Sequence, residues 1–88
     1  MLSVIIPIFN ELNNIDPLAE QIKAALNDIA EEYEIIFIND GSSDGSDTKL
    51  DELSYADKRI KVIHFRKNFG QTAAIMAGID ASSGSIII

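Results

Sequence analysis

Two aspartates and two glycines follow directly on the most apolar run of the chain. The run of residues 35–38 is typical of a buried strand, and the polar segment 39–46 comes straight after it. Asp, Gly and Ser residues favour a turn at that point. In open α/β sheets, ligands bind at the carboxyl ends of strands. Asp40 can therefore accept hydrogen bonds from a ribose or a base N–H, or can hold its own turn together, and chemistry alone favours neither role.

Similar side chains stand at the ends of other predicted strands. Glu11 follows the first strand and either does similar work or is a solvated loop acid. Pro7 ends the ladder of that strand, because it has no amide hydrogen to donate, and it could also pack against a flat base. Asn68 and Gly70 precede the third helix, where they make a turn or expose free amides to a phosphate. For each of these positions, both a structural role and a ligand-binding role therefore remain possible interpretations.

Other known motifs are absent or incomplete. Neither G-x-G-x-x-G nor G-x-x-x-x-G-K-[ST] occurs. Asp40, Asp44 and Asp51 stand at positions 1, 5 and 12 of a near-match to a calcium loop, with glycine at position 6. That loop needs a helix before it, whereas a strand is predicted here, so calcium binding is a minor alternative. His64 has no partner acid at a useful spacing and is interpreted as structural.

Hydrophobic periodicity predicts strands alternating with helices. Apolar residues at spacings of three and four predict a first helix capped by Asn14 or Asp16, with Pro17 in its first turn and its end near Glu31. Ala74 and Gly78, four apart in the third helix, predict close backbone approach. The predicted strands are residues 2–6, 34–38, 60–65 and 85–88, and the other two helices are a short one capped by Ser46 or Asp47 and residues 71–81.

This alternation predicts an α/β fold with a Rossmann-like parallel sheet and helices on both faces. Right-handed crossovers favour the strand order 3-2-1-4, with the third strand at an edge. The order reverses between strands 1 and 4, which is where a ligand crevice is expected. Three loops should meet at that edge, namely residues 7–11, 39–44 and 66–70.

Composition and charge exclude several classes of protein. The chain has 88 residues and a net charge of −7, which argues against nucleic acid as a partner. It has no cysteine, so thiolate chemistry is excluded, and no apolar run near the ~20 residues of a membrane span. Without a signal peptide, a cytoplasmic location is expected. Basic residues between positions 58 and 67 form a solvated edge or assist an anionic ligand.

Three segments together resemble family 2 glycosyltransferases. Residues 4–11 resemble the family's V-x-x-P-x-[YF]-N-E opening, and residues 39–46 resemble its D-D-G-S-x-D-x-[ST] segment. Residues 68–70, followed by Ala74, Gly78 and Gly84, resemble its N-x-G-x-x-x-A-x-x-x-G-x-x-x-A-x-G helix. The run at residues 66–71 is most similar to the branch containing dolichyl-phosphate mannosyltransferases and bacterial polyprenyl-phosphate glycosyltransferases.

The resemblance implies that residues 1–88 form the N-terminal, nucleotide-sugar-binding half of a GT-A-type domain. The family transfers a sugar from a nucleotide diphosphate donor, here expected to be a UDP- or GDP-sugar, and polyprenyl phosphate is the expected acceptor. Asn39 stands where many members have a first Asp, so it is given no catalytic role. Carried over by position, the nucleotide-binding residues are Pro7, Phe9, Glu11, Asp40, Ser42 and Asn68.

The resemblance also implies what these residues lack. The family's Asp-x-Asp motif, which holds Mg²⁺ or Mn²⁺, would follow Ile88, so no catalytic or metal-binding residue is expected in this segment. A chain ending in an apolar strand is interpreted as an inactive fragment, with membrane contact only through a missing C-terminal part or a lipid acceptor. Self-association through the fourth strand is expected. The alternatives are a stand-alone nucleotide-binding half-domain and, less favoured, a calcium-loop protein.

Overall fold

The computed structural model describes residues 1–29 and 32–87. Four strands form one parallel sheet, in which the first strand along the chain lies between the second and the fourth and the third lies beyond the second, as predicted. None of the helices in these two ranges is long and apolar enough to cross a membrane. The elements are β1 (Leu2–Ile8), α1 (Leu12–Ile29), β2 (Tyr33–Asn39), α2 (Ser46–Ala56), β3 (Ile60–His64), α3 (Gln71–Ala81) and β4 (Ser85–Ile87).

The central strand β2 divides the core into two clusters. Every residue of β2 is buried, as its continuous apolar run requires. Alternate side chains point to opposite faces, so Ile35 and Phe37 pack with α1 and α2, while Ile36 and Ile38 pack with α3. This confirms helices on both faces of the sheet and explains why the apolar run shows no helical period.

Helix α3 packs closely on the sheet through Gly78. A Cβ at this position would overlap side-chain atoms of Ile5 and Ile38. Ala74, one turn earlier, is fully buried. The close backbone approach predicted from these two small residues is therefore confirmed.

Pro7 does not end β1, contrary to the sequence prediction. It lies within the strand, opposite Ile38 of β2, and the strand continues to Ile8. Ile8 O accepts the Asp40 amide, so the backbone polar groups of Ile8 point toward β2. The backbone polar groups of successive strand residues point to opposite sides, so those of Pro7 point away from β2. The described pairing with β4 extends only from Leu2 to Val4. Among residues 1–29 and 32–87, Pro7 has a paired neighbour only on its β2 side, toward which its nitrogen does not point, so no described ladder bond is lost.

The first two helices begin differently from their predicted starts. Helix α1 begins at Leu12, which places Pro17 inside it rather than in its first turn. Its first amide, Leu12 N, donates to Asp44 Oδ2 instead of a local cap. Helix α2 begins at Ser46 with Gly45 at the cap position. Asp44 Oδ1 accepts both the amide and the hydroxyl of Ser46, so one carboxylate serves both helices.

The remaining boundaries differ from prediction by about one residue. Phe65 lies just past β3, although its amide still donates to Asn39 O. Helix α3 agrees at both ends. The predicted end of α1 near Glu31 and the last residue of β4, Ile88, lie outside the described residues. β3 and β4 are the outer strands of the described sheet, and self-association through β4 stays a prediction.

A buried carboxylate, Glu34 of β2, contacts β1 and β3 near the amino ends of the three strands. Its Oε2 accepts hydrogen bonds from the Ser3 hydroxyl and the Ser83 amide, both at 2.6 Å. Ser3 Oγ accepts the Gly84 amide just before β4. The Lys61 ammonium of β3 lies 2.6 Å from Glu34 Oε1. Burial raises the pKa of this carboxyl, but Lys61, Ser3 and Ser83 outweigh it and hold the pKa below its ordinary value.

The Glu34→Gln variant is expected to lose about 2 kcal/mol of unfolding free energy at neutral pH, because Lys61 and Ser3 lose a charged partner. Since the folded-state pKa is lowered, Glu34 stabilises the chain fully above its unfolded pKa of about 4.3. That stability is lost as the pH falls through the folded-state pKa. Urea unfolding of both chains from neutral to acidic pH should show that the difference in unfolding free energy between the parent and Glu34→Gln becomes smaller in acid. Exposed Glu20→Gln is the control, and a deficit independent of pH would contradict the assignment.

Candidate functional site

Three loops meet at the carboxyl ends of the strands and enclose a cleft of about 410 Å³. They are the first loop (residues 9–11), the second loop (residues 40–45) and the third loop (residues 65–70). We call the space between them the edge cleft. It lies where the strand order reverses, as parallel α/β sheets favour for ligand binding. Its lining consists of Pro7, Ile8, Phe9, Glu11, Asp40, Asn68, Gly70 and Gln71.

Asp40 joins the second loop to the third. Its side chain is 4% exposed, and Oδ1 accepts the Phe69 amide at 2.7 Å. Oδ2 accepts the Gly70 amide at 3.0 Å and the Asn68 side-chain amide at 3.2 Å. The sequence analysis allowed Asp40 a structural role in holding its own turn. The carboxylate does stabilise a turn, but it is the turn of the third loop and not that of the second loop, where Asp40 lies.

A carboxylate can accept about four hydrogen bonds. The described contacts of Asp40 account for three, which leaves Oδ1 able to accept one more. Because Asp40 also lines the edge cleft, the structural role and a ligand contact are compatible.

Gly41 allows the second and third loops to touch. Its φ of +73° lies in the left-handed region, which glycine adopts without strain. A Cβ here would overlap the backbone carbon of Lys67 and the backbone nitrogen of Asn68. The glycine is thus required both by its conformation and by the backbone that passes beside it.

Reciprocal hydrogen bonds join the first loop to the second. The Asn10 amide donates to Ser42 Oγ at 2.9 Å, and the Ser43 amide donates to Asn10 Oδ1 at 2.8 Å. Asn10 has a φ of +51°, a conformation that asparagine tolerates better than most residues. The polar motif residues between Ser42 and Ser46 therefore hold the loops together rather than facing the cleft.

Five of the six residues predicted to bind nucleotide line the edge cleft, and Ser42 is the exception. Its hydroxyl accepts the Asn10 amide from the first loop, which places it behind the cleft. The roles of all six in binding stay predictions.

The two walls of the edge cleft differ in polarity. Pro7, Ile8 and Phe9 supply apolar surface, and Phe9 is 47% exposed. Glu11 is exposed, and its Oε2 accepts the Asn14 side-chain amide at 2.7 Å. Gln71 at the start of α3 was missed by the sequence analysis. Its place directly after the Asn-Phe-Gly turn was the signal that could have identified it.

Part of the basic cluster has a structural role. Arg59 pairs with Asp57, and Lys61 pairs with Glu34, both away from the edge cleft. Lys67 lies over the Phe69 ring, with Nζ 5.2 Å from its centroid.

The carboxylates of the calcium-loop near-match do not converge. Asp40 binds the third loop, Asp44 binds the starts of two helices, and Asp51 Oδ1 lies 2.7 Å from His64 Nε2. Among residues 1–29 and 32–87, no three His, Cys, Asp or Glu side chains lie close enough together to hold a metal ion. This part of the chain therefore does not by itself fit a divalent cation. His64, predicted to lack a partner acid, has one in Asp51.

The chain matches the family model described as glycosyl transferase family 2 over residues 3–88. It is 40% identical over 86 residues to an uncharacterized glycosyltransferase, YkcC, of Bacillus subtilis (strain 168), covering 98% of this chain and 27% of that protein. It is 37% identical over 89 residues to a dodecaprenyl-phosphate galacturonate synthase of Rhizobium johnstonii, covering 98% and 26%. It is 35% identical over 89 residues to an undecaprenyl-phosphate 4-deoxy-4-formamido-L-arabinose transferase of Aeromonas hydrophila subsp. hydrophila, covering 100% and 27%.

The chain thus spans about a quarter of the length of these curated relatives. The named relatives include transferases of polyprenyl phosphates, which agrees with the branch indicated by residues 66–71. The family match includes all three motif segments and the loops that carry them around the edge cleft. On this match, which extends over nearly every residue, the chain belongs to glycosyl transferase family 2.

Proposed function

We propose that this chain binds the nucleotide part of a nucleotide diphosphate sugar for a glycosyltransferase. The observation that carries the proposal is the edge cleft, formed by the three family motifs at the reversal of strand order. In the whole protein, the sugar would pass to an acceptor, and polyprenyl phosphate is the acceptor we propose. Two relatives are named as a dodecaprenyl-phosphate galacturonate synthase and an undecaprenyl-phosphate 4-deoxy-4-formamido-L-arabinose transferase, which supports that choice.

The composition of the edge cleft supports a nucleoside ligand. A flat base can lie against the apolar wall formed by Pro7 and Phe9, since aromatic and proline rings offer flat surfaces. Ribose hydroxyls and base N–H groups are donors, and Glu11 and Asp40 offer carboxylate acceptors beside that wall. Gln71 offers both a donor and an acceptor. The cleft thus combines one apolar surface with a few polar groups, as small-molecule sites generally do.

The phosphates would lie toward the start of α3. Gly70 lines the edge cleft directly before this helix, and helix N-termini attract anions. The Gly70 amide itself donates to Asp40, so the amides offered to a phosphate are those of the first turn of α3. Among residues 1–29 and 32–87, no three His, Cys, Asp or Glu side chains converge to hold a cation. No step of the transfer is assigned to these residues. Their proposed work is to bind and orient the donor, and the UDP or GDP identity of that donor is left to experiment.

The Phe9→Ala variant is expected to weaken UDP or GDP binding about fivefold to a hundredfold, the loss of one base–aromatic contact. An amide-shift titration of the 88-residue chain with each nucleotide measures this. Shifts should centre on amides of residues 8–11, 40–42 and 70–71, and the base that binds more tightly names the donor class.

Phe69→Ala is the matched control, because Phe69 is 57% exposed but does not line the edge cleft. It should bind nucleotide as well as the parent chain does. Equal losses in both variants would contradict the assignment of Phe9. No shifts with either nucleotide, in a well-dispersed spectrum, would contradict nucleotide binding by this chain.

A further inference from the structure

A continuous chain of side-chain hydrogen bonds runs from α2 to the second loop. The nitrogen His64 Nε2 lies 2.7 Å from Asp51 Oδ1 of α2. On the other side of the ring, His64 Nδ1 lies 3.1 Å from Asn39 Nδ2. Asn39 Oδ1 accepts the Ser42 amide at 3.0 Å. Asp51, His64 and Asn39, which are distant in sequence, are therefore connected end to end with Ser42 of the second loop.

The direction of every bond in this chain follows from one backbone amide. Ser42 N–H can only donate, so the atom of Asn39 that faces it must be the oxygen. The Asn39 NH₂ group then faces His64, and Nδ1 of the imidazole must be the acceptor. The ring is therefore neutral, with its proton on Nε2 and directed at Asp51.

This arrangement reaches the edge cleft through the second loop. Asn39 is 3% exposed and is followed directly by Asp40, which lines the cleft. Ser42 holds the Asn10 amide of the first loop, between the cleft residues Phe9 and Glu11. A change in the orientation of Asn39 would therefore act on both loops at once.

We infer that His64 is a positioning residue for the edge cleft, whose neutral imidazole holds Asn39 in the orientation that anchors the second loop. The inference rests on the proposed function, since it assigns a role in shaping the same nucleotide site. His64 itself does not line the cleft.

Protonation of His64 would reverse the hydrogen bond to Asn39. A second ring proton would place N–H on Nδ1 against the Asn39 NH₂, two donors facing each other. The Asn39 amide must then turn its oxygen toward His64 and abandon the Ser42 amide. Of the elements packed against the ring, α2 presents the charge of Asp51, β2 presents neutral Asn39, and Lys61 of the same strand pairs with Glu34. The described bonds of Asn39 to His64 and Ser42 therefore require that Nδ1 carries no proton.

The test compares His64→Leu with His64→Asn in the 88-residue chain. Leucine removes the acceptor, so the Ser42 amide signal should move and UDP affinity should fall about threefold to tenfold, the effect of one net hydrogen bond. Asparagine places an oxygen where Nδ1 was, so it should restore both the Ser42 signal and the UDP affinity.

Long-range proton–nitrogen spectra of the imidazole provide the deciding measurement, because they report the tautomer without any nucleotide. Protonation on Nε2 at neutral pH supports the inference, and protonation on Nδ1 overturns it. A Ser42 signal displaced equally in His64→Leu and in His64→Asn also overturns it. If the tautomer and the Ser42 response are as expected but UDP does not bind, the proposed function fails and the positioning role of His64 stands.

Discussion

Replacing Asp40 by alanine is expected to lower the free energy of unfolding by about 2–4 kcal/mol and to abolish measurable nucleotide binding. The substitution removes a buried charged acceptor from the Phe69 and Gly70 amides, and lost hydrogen bonds to charged groups cost about 1.5–3 kcal/mol each when no substitute is found. The third loop can turn part of its backbone to water, which keeps the total below the sum. Urea unfolding and the amide-shift titration with UDP and GDP measure the two effects.

Asp80→Ala is the control for this variant, since Asp80 is exposed on α3 and should change stability by less than about 0.5 kcal/mol. An Asp40→Ala chain as stable as the parent would show that the third loop does not depend on this carboxylate. An unstable chain that still binds nucleotide would show that Asp40 has only its structural role.

Asn68→Ala separates the two roles of Asp40 further. It removes one donor to Asp40 Oδ2 but leaves the bonds from the Phe69 and Gly70 amides in place. The turn should therefore persist while one wall of the edge cleft changes. If affinity falls in this variant without a matching loss of stability, the cleft lining itself contributes to binding.

The fold was predictable because its main signals are local. The apolar run of β2 and the small-residue pattern of α3 each lie within one element, and α3 was predicted at both ends. The strand order followed from the alternation of strands and helices. Five of the six site residues were placed at the edge cleft because carboxyl ends of parallel strands meet at one edge.

The features that the sequence did not predict depend on partners far apart in the chain. Asp44 caps α1 from the second loop, 32 residues away from Leu12, so local capping rules pointed to the wrong residues. Pro7 lies within β1 because its backbone faces away from the paired strand β2, an orientation set by the register of the two strands. His64 finds Asp51 only because α2 packs beside β3. Long-range pairings of this kind become visible only with the three-dimensional structure.

Gly41→Ala is expected to destabilise the chain by about 2–5 kcal/mol and to eliminate nucleotide binding, as two costs combine at this position. A non-glycine residue in the left-handed region costs about 1–2 kcal/mol. The added Cβ would also overlap the backbone of Lys67 and Asn68, and forced overlap in packed regions costs about 1–3 kcal/mol more. The backbone of the third loop must then move away from the second loop, which pulls its amides from Asp40. Urea unfolding and nucleotide titration measure both effects.

Gly45→Ala separates the conformational cost from the overlap. Gly45 has a φ of +94°, so alanine meets the same left-handed strain there, but its Cβ would lie 3.6 Å from Leu12 Cδ2, an ordinary contact. This variant should lose only about 1–2 kcal/mol and keep its nucleotide affinity, since Gly45 lies outside the edge cleft. The difference between the two variants is then the cost of separating the second and third loops. Equal losses would mean that the close approach at Gly41 contributes nothing, and that the edge cleft does not depend on the contact between these loops.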